Sequence, residues 1–205
     1  MNILCFGDSI TYGMGDLEKG GWVNRLRLYI DKKHGYEVDV FNLGRCGEVT
    51  QQILNRFDPE CQARHVEGKK TVVIFAIGIN DTVIIEGEGD RVTDTEFKKN
   101  INDLISKAKK FTNEIIFVGL THVDESLTAN RFSDSLQKNK SYLNKRIIQF
   151  DGFIQEICTL KSVSYIQMFD VVGKKDLIDG LHPNVDGYEK MFQKINAELT
   201  KLDLI

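Results

Sequence analysis

Five short apolar runs punctuate the chain, at Ile3 to Phe6, Glu37 to Asn42 (through Val38, Val40 and Phe41), Thr71 to Ile77, Ile115 to Leu120 and Val163 to Phe169. They are short, rich in β-branched residues and bounded by polar or glycine-bearing turns, which predicts five strands. Between them apolar residues recur every three or four positions. Trp22, Leu26 and Tyr29/Ile30 share one face. Phe97, Ile101, Leu104, Ala108 and Phe111 share a second, and Leu143, Ile147, Phe150, Ile154 and Ile157 a third. Tyr188, Met191, Ile195, Leu199 and Leu202 form the last stripe. Such spacing predicts helices with one buried face. Thr93-x-x-Glu96 reads as a capping box at the start of the second of these. A shorter helix is expected around Glu48 to Phe57, ending before Pro59.

Strand and helix alternate throughout, which implies an α/β domain with a mostly parallel sheet. The strand runs are almost wholly apolar, as expected for strands covered by helices on both faces. With no internal repeat and no Pro/Ser-rich linker, residues 1–205 are expected to form a single domain. The least patterned stretches, Asp81 to Asp94 and Thr121 to Asn139, each follow a strand. They are expected to overhang the carboxyl edge of the sheet as substrate-facing loops.

Composition narrows the function classes. The 205 residues are 41% hydrophobic and 28% charged, ordinary for a globular protein. Lys and Arg total 27 against 30 Asp and Glu, a net charge of −3. There is no basic surplus to neutralise a phosphate backbone, so no nucleic-acid partner is expected. Cys5, Cys46, Cys61 and Cys158 are scattered and form no C-x-x-C pair, which reads as reduced thiols. No His/Cys cluster has zinc spacing, and neither a metal nor a cofactor is expected. No run approaches the ~20 apolar residues that span a bilayer. The N-terminus lacks the positive segment and long apolar core of a signal peptide. A cytoplasmic location without stable membrane insertion is the expectation.

In an open α/β sheet, ligands bind beyond the carboxyl ends of the strands. The first run is followed by Gly7-Asp8-Ser9-Ile10-Thr11, the second by Asn42-Leu43-Gly44-Arg45, the third by Gly78-Ile79-Asn80-Asp81. Beyond the fifth comes Asp179-Gly180-Leu181-His182-Pro183. Element order alone therefore brings a serine, a glycine, an asparagine and an Asp-x-x-His pair to one edge. These residue types suit acyl transfer. A serine hydroxyl needs a base to take its proton, and His182 is the base this edge supplies. Asp179, three residues earlier, can turn back to fix the imidazole tautomer and stabilise the imidazolium. Gly44 through its backbone N–H and Asn80 through its side chain are the expected donors to an oxyanion.

These four blocks, in this order, resemble the SGNH (GDSL-type) serine hydrolases, and the resemblance runs from position 7 to 183. It implies a flavodoxin-like three-layer α/β/α sandwich with a five-stranded parallel sheet. It also implies a Ser9, His182 and Asp179 triad, and an oxyanion hole of the Ser9 backbone, Gly44 and Asn80. The implied activity is hydrolysis of carboxylic esters through an acyl-enzyme. Short acyl groups, such as acetyl esters of small molecules or carbohydrates, fit a compact chain without a large lid. Thioesterase or lysophospholipase activity on the same triad is the alternative, followed by a silent binding module. After Gly44 the block continues Arg45-Cys46-Gly47, where the family often differs.

Other readings of single residues fit less well. Asp8 is expected as a turn or helix-capping carboxylate, and Asp176 lies six residues before His182, a poorer spacing than Asp179. His34 and His65 fall in polar surface stretches, and Trp22 is expected in the core. His122, after the fourth strand, is a candidate for the cleft wall. Cys46 is expected as a small buried residue. Flavin binding would leave the Asp-x-x-His element idle. G-x-G-x-x-G, G-x-x-x-x-G-K and G-x-S-x-G are absent, which disfavours dinucleotide binding, a P-loop and the α/β-hydrolase arrangement.

Overall fold

The computed structural model describes the backbone of residues 1–205 and every side chain except that of Tyr36. All five expected strands are present: β1 (Asn2–Gly7), β2 (Asp39–Gly44), β3 (Thr71–Ala76), and two more beyond the middle of the chain. Numbering in chain order adds β4 (Ile84–Ile85) and β5 (Gly89–Asp90), so the fourth and fifth runs become β6 (Ile115–Val118) and β9 (Ser164–Ile166). These five pair in parallel in the order β2-β1-β3-β6-β9.

The helices are α1 (Ser9–Tyr12), α2 (Gly21–His34), α3 (Thr50–Arg64), α4 (Asp94–Ala108), α5 (Glu125–Thr128), α6 (Asn144–Lys161) and α7 (Val185–Lys201). Right-handed crossovers decide their faces. The chain steps from β1 to β2 in one direction, then from β2 past β1 to β3, β6 and β9 in the other. Accordingly α2 packs with α7, while α3, α4 and α6 pack together, and the result is a three-layer α/β/α sandwich.

Two layers of core follow from the apolar faces. β1, β3 and β6 bury nearly every side chain. Phe6, Phe57, Phe75 and Phe117 form a continuous aromatic cluster with ring centroids 4.9–5.8 Å apart. Trp22 is fully buried beside Leu26 and Ile30, as its helical spacing indicates. The Thr93 capping box forms: Thr93 Oγ1 accepts from Glu96 N–H, and the Glu96 carboxylate accepts from Thr93 N–H at 3.0 Å.

Two differences from the pattern reading are instructive. Helix α3 does not stop before Pro59 but continues to Arg64. Pro59 removes one helical N–H, yet Cys61 in the next turn is buried in the core, and that packing holds the helix on course. The unpatterned stretches are also not simple loops. With β7 (Arg131–Ser133) and β8 (Lys138–Ser141), β4 and β5 make a second, antiparallel sheet in the order β5-β4-β8-β7. Its strands are two to four residues long, and most of their side chains are exposed or half-buried. An apolar period cannot reveal them. Among the described residues no helix is long and apolar enough to cross a membrane.

Candidate active site

The order β2-β1-β3 places a topological switch point at β1, where crossovers leave in opposite directions and open a crevice at the carboxyl ends. Ser9 opens the short helix α1 directly after β1. Asp8 caps that helix, accepting from Ile10 N–H at 2.9 Å, as expected. Asp8 is buried, and burial pushes its carboxyl up to about 7 against the opposing pull of that hydrogen bond. As the first helical residue, Ser9 has no intrahelical acceptor for its N–H, and no other acceptor takes it among the described residues.

The loop before α7 brings in the candidate base and acid. Ser9 Oγ lies 2.9 Å from His182 Nε2, and His182 Nδ1 lies 2.9 Å from Asp179 Oδ2. The other carboxylate oxygen of Asp179 accepts from the N–H groups of His182 and Leu181, at 2.9 and 3.1 Å. The spacing of three thus closes a tight turn that fixes acid against imidazole. Burial alone would raise the Asp179 pKa. The hydrogen bonds from the His182 ring and from these two backbone groups outweigh it and hold the carboxyl far below the usual range. Asp176 faces elsewhere: it accepts from Lys190 Nζ and Gly173 N–H.

Two further ties set the histidine loop against the serine. Tyr188 Oη donates to Met14 O at 2.8 Å, joining α7 to the segment after α1. The buried Arg25–Asp16 ion pair is extended by Arg25 donating to Val185 O at the start of α7.

Asn80 follows β3, and its orientation is determined by its neighbours. Glu48 O can only accept, so the group 3.0 Å away must be Asn80 Nδ2. That leaves Oδ1 to accept from Tyr142 Oη at 2.8 Å. One N–H of Nδ2 remains for a ligand. The neighbouring Asp81 is also buried and is pushed up to about 7 by burial. It accepts from both N–H and Oγ1 of Thr50, anchoring the start of α3.

Gly44 differs from expectation. Its N–H is already donated to Asn42 Oδ1 at 3.0 Å. A Cβ at this position would run into Tyr12 N and the Asp8 carbonyl, so the glycine lets the end of β2 pack on α1. The N–H of Gly47, three residues on and in a left-handed conformation (φ +78°), has no acceptor among the described residues, and neither does that of Cys46. Gly47 directly precedes Glu48, the residue that Asn80 holds. Its loop is braced from beneath: the Glu48 carboxylate pairs with Arg56, and Arg56 also donates to Leu43 O at 2.7 Å. The signal for Gly47 in the sequence was a second glycine in a block where only the first was weighed.

The remaining candidates separate. Cys46 is exposed rather than buried, because the Arg45–Gly47 turn projects from the sheet edge, and partial desolvation followed by Asp8 keeps its thiol above the usual range. His122 stacks edge-on against Phe169, 6.0 Å between ring centroids, on a separate surface hollow with Asn144 and Ile148. Beside the triad lies a cavity of about 350 Å³ walled by Asp179, Leu181 and His182 on one side and by Thr128, Arg131, Ser133, Lys140 and Tyr142 on the other. The second wall comes from the end of α5, from β7 and β8 and from Tyr142 just after β8, a stretch without an apolar period.

The model of the GDSL-like Lipase/Acylhydrolase family matches residues 5–190. Among solved structures, a lipase/acylhydrolase from Enterococcus faecalis is 22% identical, with a TM-score of 0.73 over 98% of this chain and 95% of that one. A member of the lipolytic G-D-S-L family from Veillonella parvula is 21% identical, with a TM-score of 0.72 over 98% of each chain. Axe2, an acetylxylan esterase from Geobacillus stearothermophilus, is 17% identical, with a TM-score of 0.73 over 97% of this chain and 93% of that one. Catalytic mutants of Axe2 replace a serine, an aspartate and a histidine. No curated protein sequence matches the chain.

Proposed function

The chain belongs to the GDSL-like Lipase/Acylhydrolase family, a family of carboxylic ester hydrolases, and from that premise we propose a serine esterase that works through an acyl-enzyme on Ser9. The observation that carries the reading is the unbroken hydrogen-bonded line from Ser9 Oγ through the His182 ring to an ionised Asp179. Ser9 Oγ attacks the ester carbonyl carbon while His182 Nε2 takes its proton. Asp179 holds the proton-bearing Nδ1 and stabilises the imidazolium. The developing oxyanion is met by the N–H of Ser9, the N–H of Gly47 and the free N–H of Asn80 Nδ2. Gly47 replaces Gly44 in this set because the Gly44 N–H is already bonded. The C–O bond breaks as His182 passes its proton to the leaving alcohol. Water, deprotonated by His182, then cleaves the acyl–Ser9 bond and releases the acid.

Short acyl groups are the proposed substrates. The cavity is of modest volume and is lined by hydroxyl and charged groups as much as by apolar ones, which suits a polar alcohol more than a long chain. Hydrolysis of p-nitrophenyl esters from acetate to palmitate tests this. Turnover is expected to be highest at acetate and to fall with chain length. Ser9→Ala and His182→Ala are each expected to lose roughly 10⁶ in kcat and Asp179→Ala roughly 10⁴. Undiminished turnover in His182→Ala would overturn the assignment, and a maximum at long chains would favour a lipase-like enzyme.

A further inference from the structure

Two cations face this cavity without acid partners of their own. Arg131 on β7 and Lys140 on β8 are directly opposite each other in the antiparallel pair. Like charges in that position destabilise a hairpin. No carboxylate pairs with Lys140 among the described residues, and its ammonium is half-buried in the cavity wall. The one carboxylate near Arg131 is the triad acid: its guanidinium lies 3.6 Å from Asp179 Oδ2. Asp134 also lines the cavity and forms no ion pair with either cation. Arg91, directly after β5, adds a third positive charge, donating to Gly47 O at 3.1 Å. Partial burial, then Arg91 and Arg131, hold the Lys140 ammonium below its usual pKa, with Asp179 opposing them.

As it stands this arrangement opposes catalysis. His182 must become positive in the transition state, and cations beside Asp179 with no other carboxylate to neutralise them disfavour that charge. An anion seated between Arg131 and Lys140 removes the conflict and relieves the cross-strand repulsion. The side of the scissile bond follows from geometry. In the esterase reading His182 protonates the leaving oxygen, and His182 and Asp179 wall the cavity. The cavity is therefore on the alcohol side.

Resting on the esterase reading above, we propose that the substrate is an ester whose alcohol portion carries an anionic group, a phosphate or a carboxylate, bound between Arg131 and Lys140. A guanidinium fork and a half-buried ammonium suit either anion.

The test compares three acetyl esters of similar alcohols: acetoxypropyl phosphate, γ-acetoxybutyrate and the neutral γ-acetoxybutyramide, with acetate release measured for each. For the wild-type protein kcat/KM is expected to be about tenfold or more higher for at least one anionic ester than for the neutral one. Whether phosphate or carboxylate gains more identifies the anion. In Arg131→Gln/Lys140→Gln the ratio of anionic to neutral kcat/KM is expected to fall close to one, and Lys140→Arg alone to keep most of it. Ser9-dependent hydrolysis at equal kcat/KM on all three esters would overturn the proposal and leave the esterase standing. A preference that survives in the double variant would overturn the assignment to these two residues. No Ser9-dependent hydrolysis of these esters or of p-nitrophenyl acetate would overturn the esterase reading itself.

Discussion

Asn80 shows how much a single polar contact decides. An asparagine can present either end of its amide to a ligand, and only the nitrogen end stabilises an oxyanion. Here the Glu48 carbonyl, which can only accept, makes the choice, and the Tyr142 hydroxyl reinforces it by donating to the oxygen end. Tyr142 is thus a positioning residue, and it is almost wholly buried. Tyr142→Phe keeps the ring and removes the donor. It is expected to lower kcat about tenfold, less than the ~10²–10³ for loss of an oxyanion donor outright, with KM nearly unchanged. An equal rise in KM with kcat intact would mean that Tyr142 acts on binding instead. The hydrogen-bonded set of Ser9, His182 and Asp179 and the candidate Asn80 could be singled out in the sequence because each stands at a fixed offset from a strand end or from another polar residue. Tyr142, Arg131 and Lys140 were not, since nothing in a run such as Lys-Asn-Lys-Ser-Tyr tells which side chains turn inward. Gly44 and Gly47 could not be told apart in the sequence for a related reason: a glycine that allows close packing and one with a free N–H look alike until the backbone is seen.

At the scale of elements, helices begin on buried carboxylates. Asp8 caps α1, and Asp81 anchors α3 through Thr50, whose hydroxyl in turn accepts from Asn100 on α4. Burial raises the Asp81 carboxyl from an ordinary 3.8 to about 7. Between those values the folded protein holds a proton that the unfolded chain has released, so stability falls as pH rises through the window. Asp8 adds to the same slope, whereas the depressed Asp179 acts in the acid range and loses its contribution as pH falls. The thermal midpoint is therefore expected to decline from about pH 4 to pH 7, and the decline to be shallower in Asp81→Asn, which can still accept from Thr50. An identical slope in that variant would show that Asp81 ionises normally. The five strands and the main helices were legible because burial on one or both faces imposes a period. The small sheet imposes none: its residues alternate by neither size nor polarity, and its place over the sheet edge comes from tertiary contacts such as Ile85 and Tyr142 entering the core.

Across the whole molecule, a sheet order that reverses at β1 gathers residues from positions 9 to 182 at one edge. The sandwich supplies the hydrogen-bonded set of Ser9, His182 and Asp179, and the proposed oxyanion donors, from the loops that follow its strands. The small sheet adds a wall that carries Arg131 and Lys140, and in the proposal above that wall selects among esters. With a net charge of −3, this local concentration of arginine and lysine is a property of the site and not of the surface at large. The central claim is that Ser9 becomes covalently acylated, and intact mass spectrometry after rapid acid quenching with p-nitrophenyl acetate tests it most directly. The wild-type protein is expected to gain the mass of one acetyl group, located on the peptide containing Ser9, at levels raised in His182→Ala if deacylation slows more than acylation. Ser9→Ala is expected to gain none. Ester hydrolysis by the wild type with no adduct on Ser9, or an equal adduct in Ser9→Ala, would contradict the account.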